Sequence, residues 1–201
     1  MNTYQVTLTF TEPLLGGVPL AEDIYRDYIQ AKHPNAEGAD ELETLSMPEE
    51  MEKGMTGFHR LEDGTPILYD YLLKGFFKDA CGMLRRDGES SSSKIKAYKQ
   101  VIDGLVFVGP RRIPIMVNGE ETVTTRPLRA DTAQGPRVAL ASSQTVPIGS
   151  SISFTITVLG AIVSAKLLNE WLTYGALRGL GQWRNSGAGR FDAVIVKVEE
   201  Q

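Results

Sequence analysis

The chain holds one cysteine, Cys81, and two histidines, His33 and His59, in 201 residues. A single thiol excludes an internal disulfide framework and fits a reducing compartment, so a cytoplasmic protein is expected. One Cys and two His offer no zinc-ligand spacing, and no Cys-His or Ser-His-Asp motif supports a nucleophile, so no metal and no other cofactor is expected. Long apolar runs are missing as well. The most apolar stretch, Ile152 to Leu168, is interrupted by Ser, Thr, Gly and Lys, which is too polar for a membrane span. The opening MNTYQVTLTF has neither a basic region nor a continuous apolar core, so no secretory signal is expected.

Positive charge is also in short supply, with a net charge of −4. Its distribution matters more than its sum. Residues 1–66 carry 4 Lys/Arg against 13 Asp/Glu, whereas residues 67–201 carry 17 against 12. The acidic surplus sits in the first third, and the remainder is basic. A hydrophobic fraction of 42% is ordinary for a globular protein. The length suits one domain, 1–201, with an acidic insertion at about 32–56 and hairpin insertions at about 104–145.

What the sequence has in plenty is glycine near its end. Residues 179–191 read GLGQWRNSGAGRF, with the pairs Gly179/Gly181 and Gly187/Gly189 bracketing five residues. An amphipathic segment runs into this loop and an apolar strand, Phe191 to Val198, runs out. Glycine accepts positive φ and close backbone approach. The order helix–loop–strand does not fit a dinucleotide fingerprint, and the ending Gly-Arg-Phe does not fit a P-loop. What remains is exposed amides beside Trp183, Arg184, Asn185 and Arg190, groups that bind phosphate and stack on bases. A purely structural turn with solvated charge is the competing reading.

Along the chain, Tyr4, Val6, Leu8 and Phe10 alternate with Gln5, Thr7 and Thr9, which predicts a half-buried strand. Its threonine-rich face is either plain exposure or a surface for a ligand. EPLLGGVPL reads as a loop, residues 20–31 as a helix, and 36–54 as an acidic loop or short helix, with mimicry of phosphates as its functional alternative. GFHRLEDGTPILY reads as a hairpin around Glu62-Asp63-Gly64. A helix begins near Asp70, a plausible N-cap, with Leu73, Phe76, Phe77, Ala80, Cys81 and Leu84 as its core face and Lys74, Lys78 and Arg85 on another. GESSSSK, 88–94, reads as a flexible linker. Strands are expected on either side of Gly109-Pro110-Arg111-Arg112. TVTTRPLRA and PRVALASSQTV, which carry Arg126, Arg129 and Arg137, suit a long projecting hairpin. A strand at 152–159, a helix at 162–177 anchored by Leu168, Trp171 and Leu172, and the last strand complete the order. That order, β–(insert)–α–β–β–α–β, is the α+β split βαβ plan, a ferredoxin-like or RRM-like antiparallel sheet with helices on one face.

The glycine loop resembles the C-terminal glycine-rich loop of the RAMP superfamily of CRISPR-associated RNA-binding proteins. PILYDYLLKGFFKDA, residues 66–80, is similar to that superfamily's Leu-Lys-Gly segment opening the first helix, matched by Leu73, Lys74 and Gly75. VPIGSSISFTITV, residues 146–158, is similar to its lead-in to a late strand. The resemblance implies a protein that binds single-stranded or guide RNA through Gly179, Gly181, Gly187 and Gly189, with Lys74, Lys78, Arg184 and Arg190 on phosphates and Trp183 stacking. It implies RNA, other CRISPR-associated proteins or copies of itself as partners, and no membrane. Some superfamily members process CRISPR RNA without metal, often through a histidine, which makes His33 and His59 the weak catalytic candidates. Others cut through an aspartate after the first strand; Glu12 stands early and Asp23 late here, so that role is not carried over. The sequence also resembles solitary members encoded by phages, which leaves an inhibitor of a CRISPR complex as a third reading.

Overall fold

The computed structural model describes residues 1–20, 55–132 and 135–198. The expected helix at 20–31, the acidic stretch to residue 54 and His33 lie outside the described residues. The first strand forms as expected: β1, Asn2–Phe10, buries Tyr4, Val6, Leu8 and Phe10 and turns Thr3, Gln5, Thr7 and Thr9 the other way. EPLLGGVPL is not a plain loop. It holds two short strands, β2 (Leu14–Leu15) and β3 (Val18–Pro19), because Leu14, Leu15 and Val18 are buried. Strands β4 (Met55–Gly57), β5 (His59–Arg60) and β6 (Pro66–Tyr69) follow, and the β5–β6 hairpin turns at Gly64 as expected.

Helix α1, Asp70–Leu84, buries Leu73, Phe76, Phe77, Ala80 and Cys81. This i, i+3, i+4, i+7, i+8 stripe supplies each large side chain with about 1.5–3 kcal/mol of burial. Its N-cap is Tyr69 rather than Asp70, whose carboxylate instead accepts from the next amide, of Tyr71. Residues 88–94 are not a flexible linker. Ser91–Lys94 form a 3₁₀ turn, and Ser92 is fully buried. The Glu170 carboxylate accepts from the amides of Ser91 and Ser92 and from the Ser92 hydroxyl at 2.8–3.2 Å, while the Trp171 indole donates to Ser92 Oγ at 3.0 Å. Burial alone would raise the Glu170 carboxyl, but these donors outweigh it and hold the group below its usual range.

Helix α2, Tyr98–Leu105, was not expected from the sequence; it starts after Ala97, which sits in the left-handed region. Strands β7 (Val106–Gly109) and β8 (Arg112–Met116) do not pair with each other; they follow one another along β11 (Ser151–Val158). Between β8 and β11 in sequence comes the expected long hairpin, β9 (Thr122–Thr132) with β10 (Gly135–Val146). Helix α3, Ala165–Arg178, is capped by Ser164 Oγ and buries Leu168, Trp171 and Leu172. Strand β12, Phe191–Val198, ends the described chain.

The architecture is α+β and ferredoxin-like. β1 lies between β12 and β11, antiparallel to both, and β7 pairs with β11. Two split units, β1–α1–β7 and β11–α3–β12, interleave to give the order β12-β1-β11-β7. β8, β6 and β5 extend that sheet. β2, β10, β4 and β3 form a second sheet, with β9 along β10. The core joins the Tyr4–Phe10 face to both long helices: Phe10 and Phe76 meet Phe191 edge-on, and Phe77 packs on Trp171. Cys81 lies in this core, and burial pushes its thiol up.

Candidate nucleic-acid interface

The glycine loop is tied down by its own backbone. Leu180 N–H donates to Gly189 O at 2.9 Å, Gly189 N–H to Pro13 O at 2.8 Å and Gln182 N–H to Leu15 O at 3.1 Å. The expected positive φ is present at all four positions, +85° at Gly179, +77° at Gly181, +87° at Gly187 and +68° at Gly189. A Cβ on Gly189 would lie 1.9 Å from Leu180 O, one on Gly179 2.2 Å from Ala188 O, and one on Gly181 2.7 Å from Leu15 O. The room beside these three glycines is therefore taken by the chain itself. They shape the loop, and the groups that face outward are side chains.

Those side chains form a cluster. Arg184 pairs with Asp79 of α1 at 2.9 Å, and Arg178, in the last turn of α3, reaches the same oxygen at 4.0 Å and donates to Asn185 Oδ1. Arg190 Nε donates to Leu177 O at 2.9 Å and remains exposed. Arg126, from β9, places its guanidinium 4.2 Å from the centre of the Trp183 ring. Four guanidinium groups thus stand around the loop with one paired carboxylate, Asp79, among the described residues. Trp183 is half-buried and has φ +60°, in the left-handed region that bulky residues rarely enter.

Lys74 and Lys78 do not join this cluster. Lys78 Nζ pairs with Asp103 of α2 at 2.5 Å; Lys74 Nζ donates to Asp103 O at 3.2 Å and lies over the Phe107 ring. The next residue on the helix, Asp79, is the one that turns toward the loop. Sequence reasoning missed Asp79 and Arg178. Arg178 carried a signal, a cation in a helical last turn immediately before a glycine pair.

A cleft of about 380 Å³ opens beside the loop, lined among others by Leu72, Gly75, Phe76, His59, Gly181 and Arg184. His59 is 1% exposed and meets the Tyr69 ring edge-on at 4.8 Å. Burial lowers its pKa to about 4, so the ring is neutral at neutral pH. Among the described residues no group of three His, Cys, Asp or Glu side chains could hold a metal ion, and no helix is long and apolar enough to cross a membrane.

No family model and no curated protein matches the chain. Its fold is similar to that of a chain in the cryo-EM structure of the Type III-B Cmr-beta bound to cognate target RNA, with a TM-score of 0.54 and 14% identity. The match covers 98% of this chain and 61% of that one, so the protein spans less than two thirds of the neighbour it matches and shares its fold.

Proposed function

We propose that the protein is a non-catalytic, RNA-binding member of the RAMP superfamily that holds single-stranded or guide RNA at the glycine loop, as part of a CRISPR-type ribonucleoprotein. The observation that carries the reading is the guanidinium cluster of Arg126, Arg178, Arg184 and Arg190 around the loop that holds the half-buried Trp183 indole. Guanidinium groups take phosphates and aromatic faces take bases, and the two together are the chemistry of single-strand binding. The likeness in fold to a chain from an RNA-bound CRISPR complex supports the same reading. Catalysis by His59 is left out of the proposal. An imidazole with a pKa of about 4, almost wholly buried, is a weak base poorly placed to activate a 2′-hydroxyl.

The test is the salt dependence of single-stranded RNA binding by the full chain. Each phosphate neutralised contributes a slope of about −0.7 in log affinity against log salt. Three to four contacts give a slope of roughly −2 to −3. The triple variant Arg178→Ala, Arg184→Ala, Arg190→Ala flattens it. No binding at low salt, or a flat response in the wild type, removes the RNA-binding reading. RNA cleavage in EDTA removes its non-catalytic part.

A further inference from the structure

We infer that the Trp183 indole is a stacking platform for one RNA base, and that Arg126 occupies that platform in the free protein and moves to the strand's phosphate when the base arrives. The inference rests on the RNA-binding reading above and assigns the base and phosphate roles within that site.

Three observations lead to it. Trp183 holds φ +60° in a loop already supplied with four glycines, so the chain places a bulky ring where glycine or asparagine would sit more easily. Strain of this kind persists where the surroundings impose it and gathers at ligand sites. Second, the indole is half-buried, whereas the other tryptophan, Trp171, is fully buried and hydrogen-bonded to Ser92. Trp171 has a structural partner for its N–H, and Trp183 offers a ring face. Third, that face is covered by a cation from a separate element. Arg126 comes from the long β9–β10 hairpin, and its guanidinium lies 4.2 Å from the ring centre. Such a contact is worth about 0.5–1 kcal/mol when exposed and about 2 kcal/mol when desolvated, within the range of a stacked base.

The spacing decides how the exchange works. A base stacked on the indole takes up about 3.5 Å on that face, so it cannot share a 4.2 Å gap with the guanidinium. Arg126 must leave as the base enters. It has a flexible side chain and stays within reach of the same nucleotide, where a phosphate gives it a stronger, charge-assisted contact than the ring did. Arg184 and Arg178 remain anchored by Asp79 and hold the flanking phosphates. Stacking is tolerant of base identity, so the site takes single-stranded RNA without strong sequence preference.

The experiment compares oligoadenylate with an abasic ribose-phosphate strand of equal length, following binding and tryptophan fluorescence of the full chain. Oligoadenylate is expected to bind about tenfold more tightly than the abasic strand and to quench Trp183, while the abasic strand binds without quenching. Trp183→Gly, which suits the left-handed backbone, is expected to abolish both the quench and the tenfold preference, so that the two strands bind with equal affinity. Equal affinity for the two strands in the wild type, or strong binding without a quench, overturns the platform and leaves the RNA-binding reading standing. Absence of binding by either strand at low salt overturns both.

Discussion

Burial sets the behaviour of His59. Its imidazole titrates near 4 in the folded protein against about 6.5 in the unfolded chain. Between those values the unfolded state binds a proton that the folded state does not. The contribution is therefore fully present above pH 6.5 and is lost as pH falls toward 4, at about 1.4 kcal/mol per unit and ~3 kcal/mol in all. Chemical denaturation at pH 7 and pH 4.5 should show this loss in the wild type, and His59→Gln should remove most of it. An unchanged difference in the variant would show that other groups carry the pH dependence. Glu170 acts in a lower window. Its carboxyl is held below the usual range by Ser91 and Ser92, so its contribution is lost only as pH falls beneath the ordinary carboxylate value. The position of His59 beside Tyr69 was not legible in the sequence. A histidine in a hairpin reads equally as exposed or buried, and only the packing of β5 and β6 decides.

At the scale of elements, the glycine loop and the Leu73-Lys74-Gly75 segment make opposite demands on glycine. Gly189 faces the Leu180 carbonyl, and a methyl there would overlap it. Gly75, in the helix interior, has nothing within 4 Å of a built Cβ. Gly189→Ala should therefore lower stability by more than the ~1–3 kcal/mol of a strained φ alone, because main chain must also move. Gly75→Ala should raise it by up to ~1 kcal/mol through helix propensity. Denaturant midpoints of the two variants check both signs, and a tolerated Gly189→Ala would show that the Leu180 carbonyl does not hold the loop in place. Elements with strong periodicity were legible: β1, β11, α1 and α3 formed where alternation and the i, i+3, i+4 stripe placed them, and β12 formed from the apolar run Phe191–Val198. The serine run was not. Polar composition suggested a linker, but Glu170 and Trp171, 78 and 79 residues away from Ser92, supply partners that draw its amides and hydroxyl inside. Helix α2 was missed for a different reason. It is only 8 residues long, and its apolar residues run straight into β7, so the segment reads as one strand. The loop was legible as glycine-rich, yet which groups it presents was not, since Asp79 and Arg126 come from two distant places in the chain, and only Arg178, directly before Gly179, lay close enough in sequence to signal itself.

Across the whole molecule, charge separates two surfaces of the same sheet scaffold. The face of β1 turned away from the core carries Thr3, Gln5, Thr7 and Thr9, opposite Thr157, Thr155, Ser153 and Ser151 of β11. Thr7 and Ser153 hydrogen-bond across the strands at 2.9 Å. These eight side chains include no cation, so this stretch of the sheet has nothing to neutralise phosphates, whereas the loop gathers four guanidinium groups. RNA drawn by counterion release should follow the loop and leave this face uncovered. Thr7→Glu places a negative charge in the middle of the face. Beyond about 8 Å at physiological salt a surface charge is largely screened, so a strand held at the loop should not sense it. The expected result is RNA affinity within about twofold of wild type for Thr7→Glu, against a loss of more than tenfold for the triple arginine variant, each charge-assisted contact being worth about 1.5–3 kcal/mol before its loss of partners is counted. Both variants should keep the wild-type unfolding free energy to within about 1 kcal/mol, because the altered side chains are exposed or half-buried and a solvent-facing ion pair contributes little. A large loss of affinity with Thr7→Glu would move the interface onto the threonine face, where stacking on Phe107 at the β7 edge would have to replace the role argued for Trp183.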